Sequence, residues 1–385
     1  MSIRGAAAEF NIPRSTLSDR ARGKHKAPHQ AHNGQLLLTA AQEAALVSWC
    51  HYLDLTGHPL TRRTIGPKVA KLSGTFPGKN WLPRFLERHR DKLFLGRTSK
   101  LDDQRGRNFN FHTVHEYFKK LDNFMQENEI PWVHVWNMDE KGVQMGGGRK
   151  NRGEKYILSR RGRREKKKTH YRASSSNLEL VTVIESINAE GSIMKPGFVF
   201  SGKRLQKRWF TERISEEAGC IAVSDNGWTD DRLSLDWFKK TFVPEAEGKR
   251  IAGKPILLIW DGHGSHETME IIDYAREHNI HFFSFPSHTT HKLQPLDVGV
   301  FGLIESNWGR RVDELAAEGR CITKNNFIET YLDVRKQSMT TESIVATFKK
   351  TGLNPINPDV FDDRDYGPSW HTSTQLHTPD DYPTT

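Results

Sequence analysis

Three aspartates stand where chemistry could be done. Asp261 closes a short apolar run, Ile256-Leu257-Leu258-Ile259-Trp260, with the length and composition of a buried strand. Asp297 follows 36 positions later, where Val298, Phe301, Ile304 and Trp308 begin to recur at helical spacing. A third position lies upstream, where Asp139 falls at the end of another apolar run that starts at Val133. Carboxylates at strand ends and at the head of a helix can converge on one sheet edge, where a hard divalent cation finds oxygen ligands. Three of them on three elements predict a two-metal phosphoryl-transfer site, with ions about 3.5–4 Å apart that activate the attacking oxygen and stabilise the leaving one. Glu140 follows Asp139 and, by strand alternation, points to the other face, so it is expected to be structural.

Four histidines share these loops. His263, His266, His288 and His291 are candidates for proton shuttling, and His263, His266 and His291 for phosphate contact. A zinc site would want cysteines or a ligand spacing that is absent. Ser265 beside His266 lacks the GxSxG elbow of a hydrolase. The glycines of Gly142 to Lys150 read as a turn and lack the GxxxxGK[ST] pattern of a phosphate loop.

The positioning elements read as strands at Glu179–Ile184, Lys195–Phe200 and Ile221–Ser224, a helix over Trp228–Phe242, then the Asp261 strand, a helix over Glu267–His278, a strand at Ile280–Phe285 and the Asp297 helix. Upstream, Val114, Tyr117, Phe118, Leu121, Phe124 and Met125 form a helical stripe expected to be core.

The pieces Asn137-Met-Asp-Glu-Lys-Gly142, Trp260-Asp-Gly-His-Gly-Ser-His266 and Leu293-Gln-Pro-Leu-Asp-Val-Gly-Val-Phe301 resemble the DDE/D superfamily of pogo-like transposases, in the wider mariner group. The resemblance implies an α/β RNase H-like catalytic domain in which Asp139, Asp261 and Asp297 bind two Mg²⁺ (or Mn²⁺). The element order fits that fold. It also implies double-stranded DNA partners, namely transposon terminal repeats and target DNA, and a second step in which a freed 3′-OH attacks the target. Family members work on paired ends, so a homodimer is implied as well.

Charge placement fits a polyanionic partner. Residues 1–107 hold 19 Lys and Arg against 8 Asp and Glu, a net of +11, and the rest of the chain balances to −1. Concentrated positive charge suits DNA, because neutralising phosphates releases counterions. Residues 1–24 read as the later part of a helix-turn-helix that resembles the pipsqueak type, its usual first helix missing. The turn is at Asn11-Ile12-Pro13, the helix cap near Arg14 or Ser15, and the DNA-facing set includes Arg14, Ser15, Thr16 and Arg20. A linker is expected over 25–36. Residues 37–107 carry three short helices, the first opened by a capping box of Thr39 and Gln42, in an order resembling the centromere protein B-type domain. There Arg62, Arg63, Lys79, Asn80, Arg84 and Arg88 are candidates for phosphate and base contacts.

The expected architecture is therefore multidomain: all-α helix-turn-helix modules, a catalytic domain over 108–361, and a disordered tail over 362–385. A basic segment at 149–172, with 12 Lys and Arg against 2 Glu, is a candidate nuclear localisation signal, a DNA-backbone contact, or both. Cys50, Cys220 and Cys321 form neither a disulfide framework nor a zinc pattern, and no apolar run is long enough to span a membrane. A reducing compartment, the nucleus, is expected. The rival readings are a transposon-derived DNA-binding protein without cleavage activity and an RNase H-like nuclease acting on RNA, the latter disfavoured by two DNA-reading modules.

Overall fold

The structure, a computed structural model, describes residues 2–22, 24, 36–147, 177–262 and 268–370. They divide into two compact units, one drawn from Met1–Asp102 and Asp363–Thr372, the other from Asp103–Asp362.

The first unit is helical. α1 (Ile3–Glu9) is capped by the Ser2 hydroxyl, which accepts from Gly5 N. α2 (Arg14–Ala21) starts at Arg14, where the sequence placed it, directly after Pro13 and with no side-chain cap bond. α3 (Ala40–Leu55) opens with the expected Thr39–Gln42 capping box, and the Gln42 amide also donates to Leu72 O at 2.7 Å. That bond ties α3 to the end of α4 (Ile65–Ser73), which is followed by α5 (Trp81–Arg88). Leu38, Leu46, Val47, Ile65, Val69 and Phe85 make the core between these helices.

The second unit begins with α6 (Asp103–Asn108) and α7 (Phe111–Glu127). Then come β1 (Val135–Gln144), β2 (Leu180–Asn188), β3 (Gly197–Ser201), α8 (Glu212–Glu217) and β4 (Ile221–Ser224). α9 (Asp231–Trp237) passes through a π-helical turn, Phe238–Phe242, into α10 (Val243–Gly248). β5 (Ile256–Trp260), α11 (Met269–Glu277), β6 (Ile280–Ser284) and α12 (Thr290–Leu293) follow. A second π-helical turn, Leu296–Val300, leads into α13 (Phe301–Ala317), and α14 (Phe327–Ser338) and α15 (Thr341–Lys350) complete the layer.

One six-stranded sheet, in the order β4-β3-β2-β1-β5-β6, organises the unit. β2 runs antiparallel to both of its neighbours, β1 and β3, whereas β5 and β6 run parallel to β1. On one face Trp136, Met138, Leu258 and Trp260 pack with Trp237, Phe238, Phe242 and Ile271. On the other, Phe198 meets Tyr331 of α14, and the expected helical stripe of α7 lies on β6 through Tyr117 against Phe283.

Two expectations are corrected. β1 does not end at Asp139 but continues to Gln144, pairing Glu140–Gln144 with Ile184–Leu180 of β2. The sequence Glu-Lys-Gly-Val-Gln looks like a turn because one side of this extension is open and polar, yet its backbone groups find a full antiparallel partner. The tail is also ordered further than expected. Asp363–Tyr366 form a last short helix, α16, with Tyr366 buried, and Gly367 is pressed so close that a Cβ there would lie 2.1 Å from Leu55 O. Tyr366 and Trp370 supply apolar anchors among the acidic residues. The remainder of the expected tail, the 25–36 linker as far as residue 35, and all of segment 149–172 lie outside the described residues.

Candidate active site

Sheet register brings the first two aspartates together. β1 and β5 pair in parallel as Val135–Leu257, Trp136–Leu258 and Asn137–Ile259. Asp139 and Asp261 each follow the last pair, Asn137–Ile259, by two residues, and their charges interact. β5 ends at Trp260, so the ladder between the two strands stops just before the aspartates, and Asp139 lies within reach of the charges of Asp297 and Asp261.

Asp297 arrives from above. Pro295 disfavours helical ψ at the residue before it, and Gln294 is extended, with ψ 115. α12 therefore stops at Leu293, and the chain restarts as the π-helical turn whose second residue is Asp297. Such turns shift the helical register and recur at functional sites. Gly299 lets this turn seat on α15: a Cβ there would lie 2.4 Å from Thr347 Oγ1, and that hydroxyl is held by its bond to Ser343 O. Gly299→Ala is expected to destabilise the protein by about 1–3 kcal/mol through overpacking, read as a lowered midpoint in a urea melt.

The three carboxylates feel one another. Burial raises the pKa of Asp139 well above the usual carboxylate range, and the charges of Asp297 and Asp261 raise it further; the Glu140 N–H (2.8 Å) and the Gln294 side chain oppose this by bonding to it. Asp297 is also raised, by partial burial first, with Lys141 and Arg105 pulling it down and Asp261 pushing it up. Among the described residues no three acidic, His or Cys groups are drawn together tightly enough to hold a single ion. Three acids from three elements thus lie within reach of one another's charges without forming a closed cage.

Four residues at this site escaped the sequence reading of individual roles. Lys141, two positions past Asp139 and so on its face, lies over the Phe301 ring at 5.4 Å. Arg105 reaches it from α6. Gln294, 1% exposed, bonds to Asp139, while its Oε1 is buried without a hydrogen-bond partner. Asn137 is wholly buried between the strands. The signal for the last two was a polar amide inside an otherwise apolar stretch.

The histidines are redirected. Burial, with Arg105 and Lys292 nearby, pushes the His291 pKa down to about 4, so it is neutral at pH 7. Its ring stands edge-on to Phe109, and Nδ1 bonds to His288 O at 3.1 Å. It is therefore not a cationic phosphate contact. His263 and His266 lie outside the described residues. Glu140, as expected for the opposite face, accepts from Thr229 Oγ1 at 2.7 Å.

In the helical unit, Arg14, Ser15, Thr16 and Arg20 are exposed on α2. Arg62, Arg63, Lys79, Asn80 and Arg84 are exposed too, and Arg62, Arg63 and Lys79 line one cleft of about 640 Å³ with Phe76 and Trp81. Arg88 departs from this set. Its guanidinium is bound in fork fashion to the buried Glu43 carboxylate, which His89 also reaches at 3.0 Å. A buried acid inside a small helical core must be paired, so the exposed Arg88 also has a structural role as the partner of Glu43.

Three family models match: "helix-turn-helix, Psq domain" at residues 1–27, "Tc5 transposase DNA-binding domain" at 39–96, and "DDE superfamily endonuclease" at 177–348. The last includes Asp261 and Asp297, with Asp139 upstream of it. Among curated proteins the chain is 29% identical over 370 residues to "MFS-type transporter clz9" of Cochliobolus lunatus, covering 93% of this chain and 34% of that protein. It is 27% identical over 150 residues to "Chaetoglobosin A biosynthesis cluster protein C" of Chaetomium globosum, covering 38% and 36%. The chain thus spans about a third of the length of each. No helix among the described residues is long and apolar enough to cross a membrane. Among solved structures, the Mos1 transposase paired-end complex with left transposon end matches at TM-score 0.51 and 11% identity, covering 93% of this chain and 91% of that one. The Mos1 strand transfer complex matches at 0.50 and 10%, covering 92% and 90%. The mariner Mos1 paired-end complex with Mg matches at 0.51 and 11%, covering 92% and 91%. The likeness is one of fold: helical helix-turn-helix region, then an RNase H-like α/β domain.

Proposed function

We propose that this chain, which carries a DDE superfamily endonuclease domain behind helix-turn-helix domains of the Psq and Tc5-transposase kinds, is a metal-dependent DNA transposase that binds transposon ends and cuts and joins DNA. The observation that carries this reading is the placement of Asp139, Asp261 and Asp297 around the point where β5 stops.

The donor set fits hard divalent ions: three carboxylates, with a buried amide oxygen of Gln294 lacking a partner beside them. Two Mg²⁺ or Mn²⁺ held by Asp139, Asp261 and Asp297 would supply an activated attacking oxygen and charge for the leaving one. Asp139 must give up its proton to serve, so ligand binding is coupled to proton release. Lys141 and Arg105 place positive charge beside Asp297, where a phosphodiester would sit. In the first reaction water attacks phosphorus, the bond to the 3′-oxygen breaks, and that oxygen takes up a proton. In the second, the freed 3′-OH attacks a target phosphodiester. One phosphorus–oxygen bond forms as one breaks, so no outside energy is needed.

Double-stranded DNA is the partner, read through the helical unit. The Mos1 structures were solved as paired-end and strand-transfer complexes, which supports terminal repeats and target DNA as substrates and a homodimer as the working form. Segment 149–172 supports a nuclear location. Arg62→Ala, Arg63→Ala and Lys79→Ala are each expected to weaken DNA binding across sequences and to flatten the log Kd against log salt slope by about 1, measured by fluorescence anisotropy. Arg88→Ala is expected to leave that slope unchanged and to lower the thermal midpoint instead.

The activity test is nicking of supercoiled plasmid with Mg²⁺ or Mn²⁺, which needs no knowledge of the recognised ends. Metal-dependent open circles support the proposal. Intact plasmid with retained DNA binding would favour a transposon-derived DNA-binding protein without cleavage activity.

A further inference from the structure

Asn137 is 0% exposed, and its carboxamide joins three elements at once. Nδ2 donates to Ile259 O of β5 at 3.0 Å and more weakly to Met138 O of its own strand at 3.4 Å. Oδ1 accepts from Leu296 N, at the start of the π-helical turn, at 3.1 Å. The orientation of the amide is fixed by its partners, since a carbonyl only accepts and a backbone N–H only donates. Each partner lies next to an aspartate. Asn137 is two residues before Asp139, Ile259 two before Asp261, and Leu296 one before Asp297.

We propose that Asn137 is a positioning residue of the site, a buried side chain that ties the Asp297 turn to the strands carrying Asp139 and Asp261 before any metal arrives. This rests on the three-aspartate reading above. The sheet ladder, which runs as far as Asn137–Ile259, brings Asp139 and Asp261 near each other from neighbouring strands. Nothing in the ladder fixes the Asp297 turn, which enters after a helix break at Pro295. The bond from Leu296 N to Asn137 Oδ1 supplies that link, and the bond to Ile259 O holds the amide plane so that the link has one length. The side chain is far too buried to be there for solvation, and burying an amide is costly unless its bonds are made. Gln294 acts in the same sense from the other side, since it belongs to the entry of the Asp297 turn and bonds to Asp139. A coordination shell tolerates only about 0.5 Å of error in its ligands, so a loosened turn would cost metal affinity rather than fold. Partners that orient metal ligands are typically worth about 10–100-fold in affinity.

The test is Mn²⁺ binding to the full-length metal-free protein, followed by the electron paramagnetic resonance of free Mn²⁺, together with a thermal melt in the absence of metal. Wild type, Asp261→Asn and Asn137→Ala are compared, with Asn137→Ser read in place of Asn137→Ala if the latter does not fold. Its hydroxyl is too short to bridge both partners. The expected result is a site lost in Asp261→Asn and bound at least about tenfold more weakly in the folded Asn137 variant, all three aspartates being intact. A purely structural residue would lower the melting midpoint and leave Mn²⁺ affinity of the folded protein unchanged; that outcome overturns the proposal alone. Equal Mn²⁺ binding by wild type and Asp261→Asn would instead overturn the three-aspartate reading, and this inference with it.

Discussion

Asp139→Asn is expected to abolish metal-dependent plasmid nicking, by about 10³-fold or more, while making the metal-free protein more stable. The two effects have one cause. Asp139 is buried beside Asp297 and Asp261, and its pKa is held well above the ordinary carboxylate range. In the unfolded chain the same group ionises near the usual value of about 3.9. Folding stability from this group is therefore fully present below the unfolded pKa and is lost as pH rises through the folded one. At neutral pH the wild-type protein carries that penalty, and the neutral amide does not. A higher Tm than wild type is expected at pH 7, and the difference should vanish as the pH falls toward the unfolded value. Addition of Mg²⁺ or Mn²⁺ should raise the wild-type Tm and leave that of the variant unmoved. Undiminished nicking by Asp139→Asn, with the protein folded and bound to DNA, would remove Asp139 from the site; Asp261→Asn provides the same test on β5.

The acids were legible because Asp139 and Asp261 end short apolar runs and Asp297 opens a helical apolar pattern, and such patterns announce buried strands and helices from composition alone. What holds the acids was not. Asn137 and Gln294 look like interruptions of an apolar stretch until the register shows that their amides point at backbone and carboxylate partners from elements far away in the chain. Lys141 was hidden for a related reason: the polar half of β1 reads as a turn unless β2 is known to pair with it. Arg88 and His291 show the opposite error. Both have the residue type of a phosphate contact, but burial of Glu43 claims the first and a low-dielectric niche keeps the second neutral. Local sequence reports the type of a side chain, while its state of charge and direction are set by neighbours that only the fold brings near.

The same dependence on distant neighbours makes Arg335 the residue whose loss should cost most stability. Glu185 is 0% exposed on β2, directly across the ladder from Asp139 and therefore on the same face. Arg335 of α14 forms a bidentate pair with it, with Nε at 2.8 Å from Oε1 and the terminal nitrogen at 2.9 Å from Oε2, and Tyr331 donates to Oε1 at 2.9 Å. The Tyr331 hydroxyl is itself raised in pKa, by burial first and then by the Glu185 charge, so it stays a donor. Arg335→Ala leaves a buried carboxylate without its countercharge and opens a cavity under α14. A loss of about 3–5 kcal/mol is expected, measured by urea denaturation. The double variant Glu185→Gln, Arg335→Met removes both charges and should recover most of it, since a buried ion pair contributes little over apolar groups of similar size. If Arg335→Ala melts like wild type, the pair is not the tie between α14 and the sheet; if the double variant is no better than the single one, packing rather than charge is what Arg335 contributes.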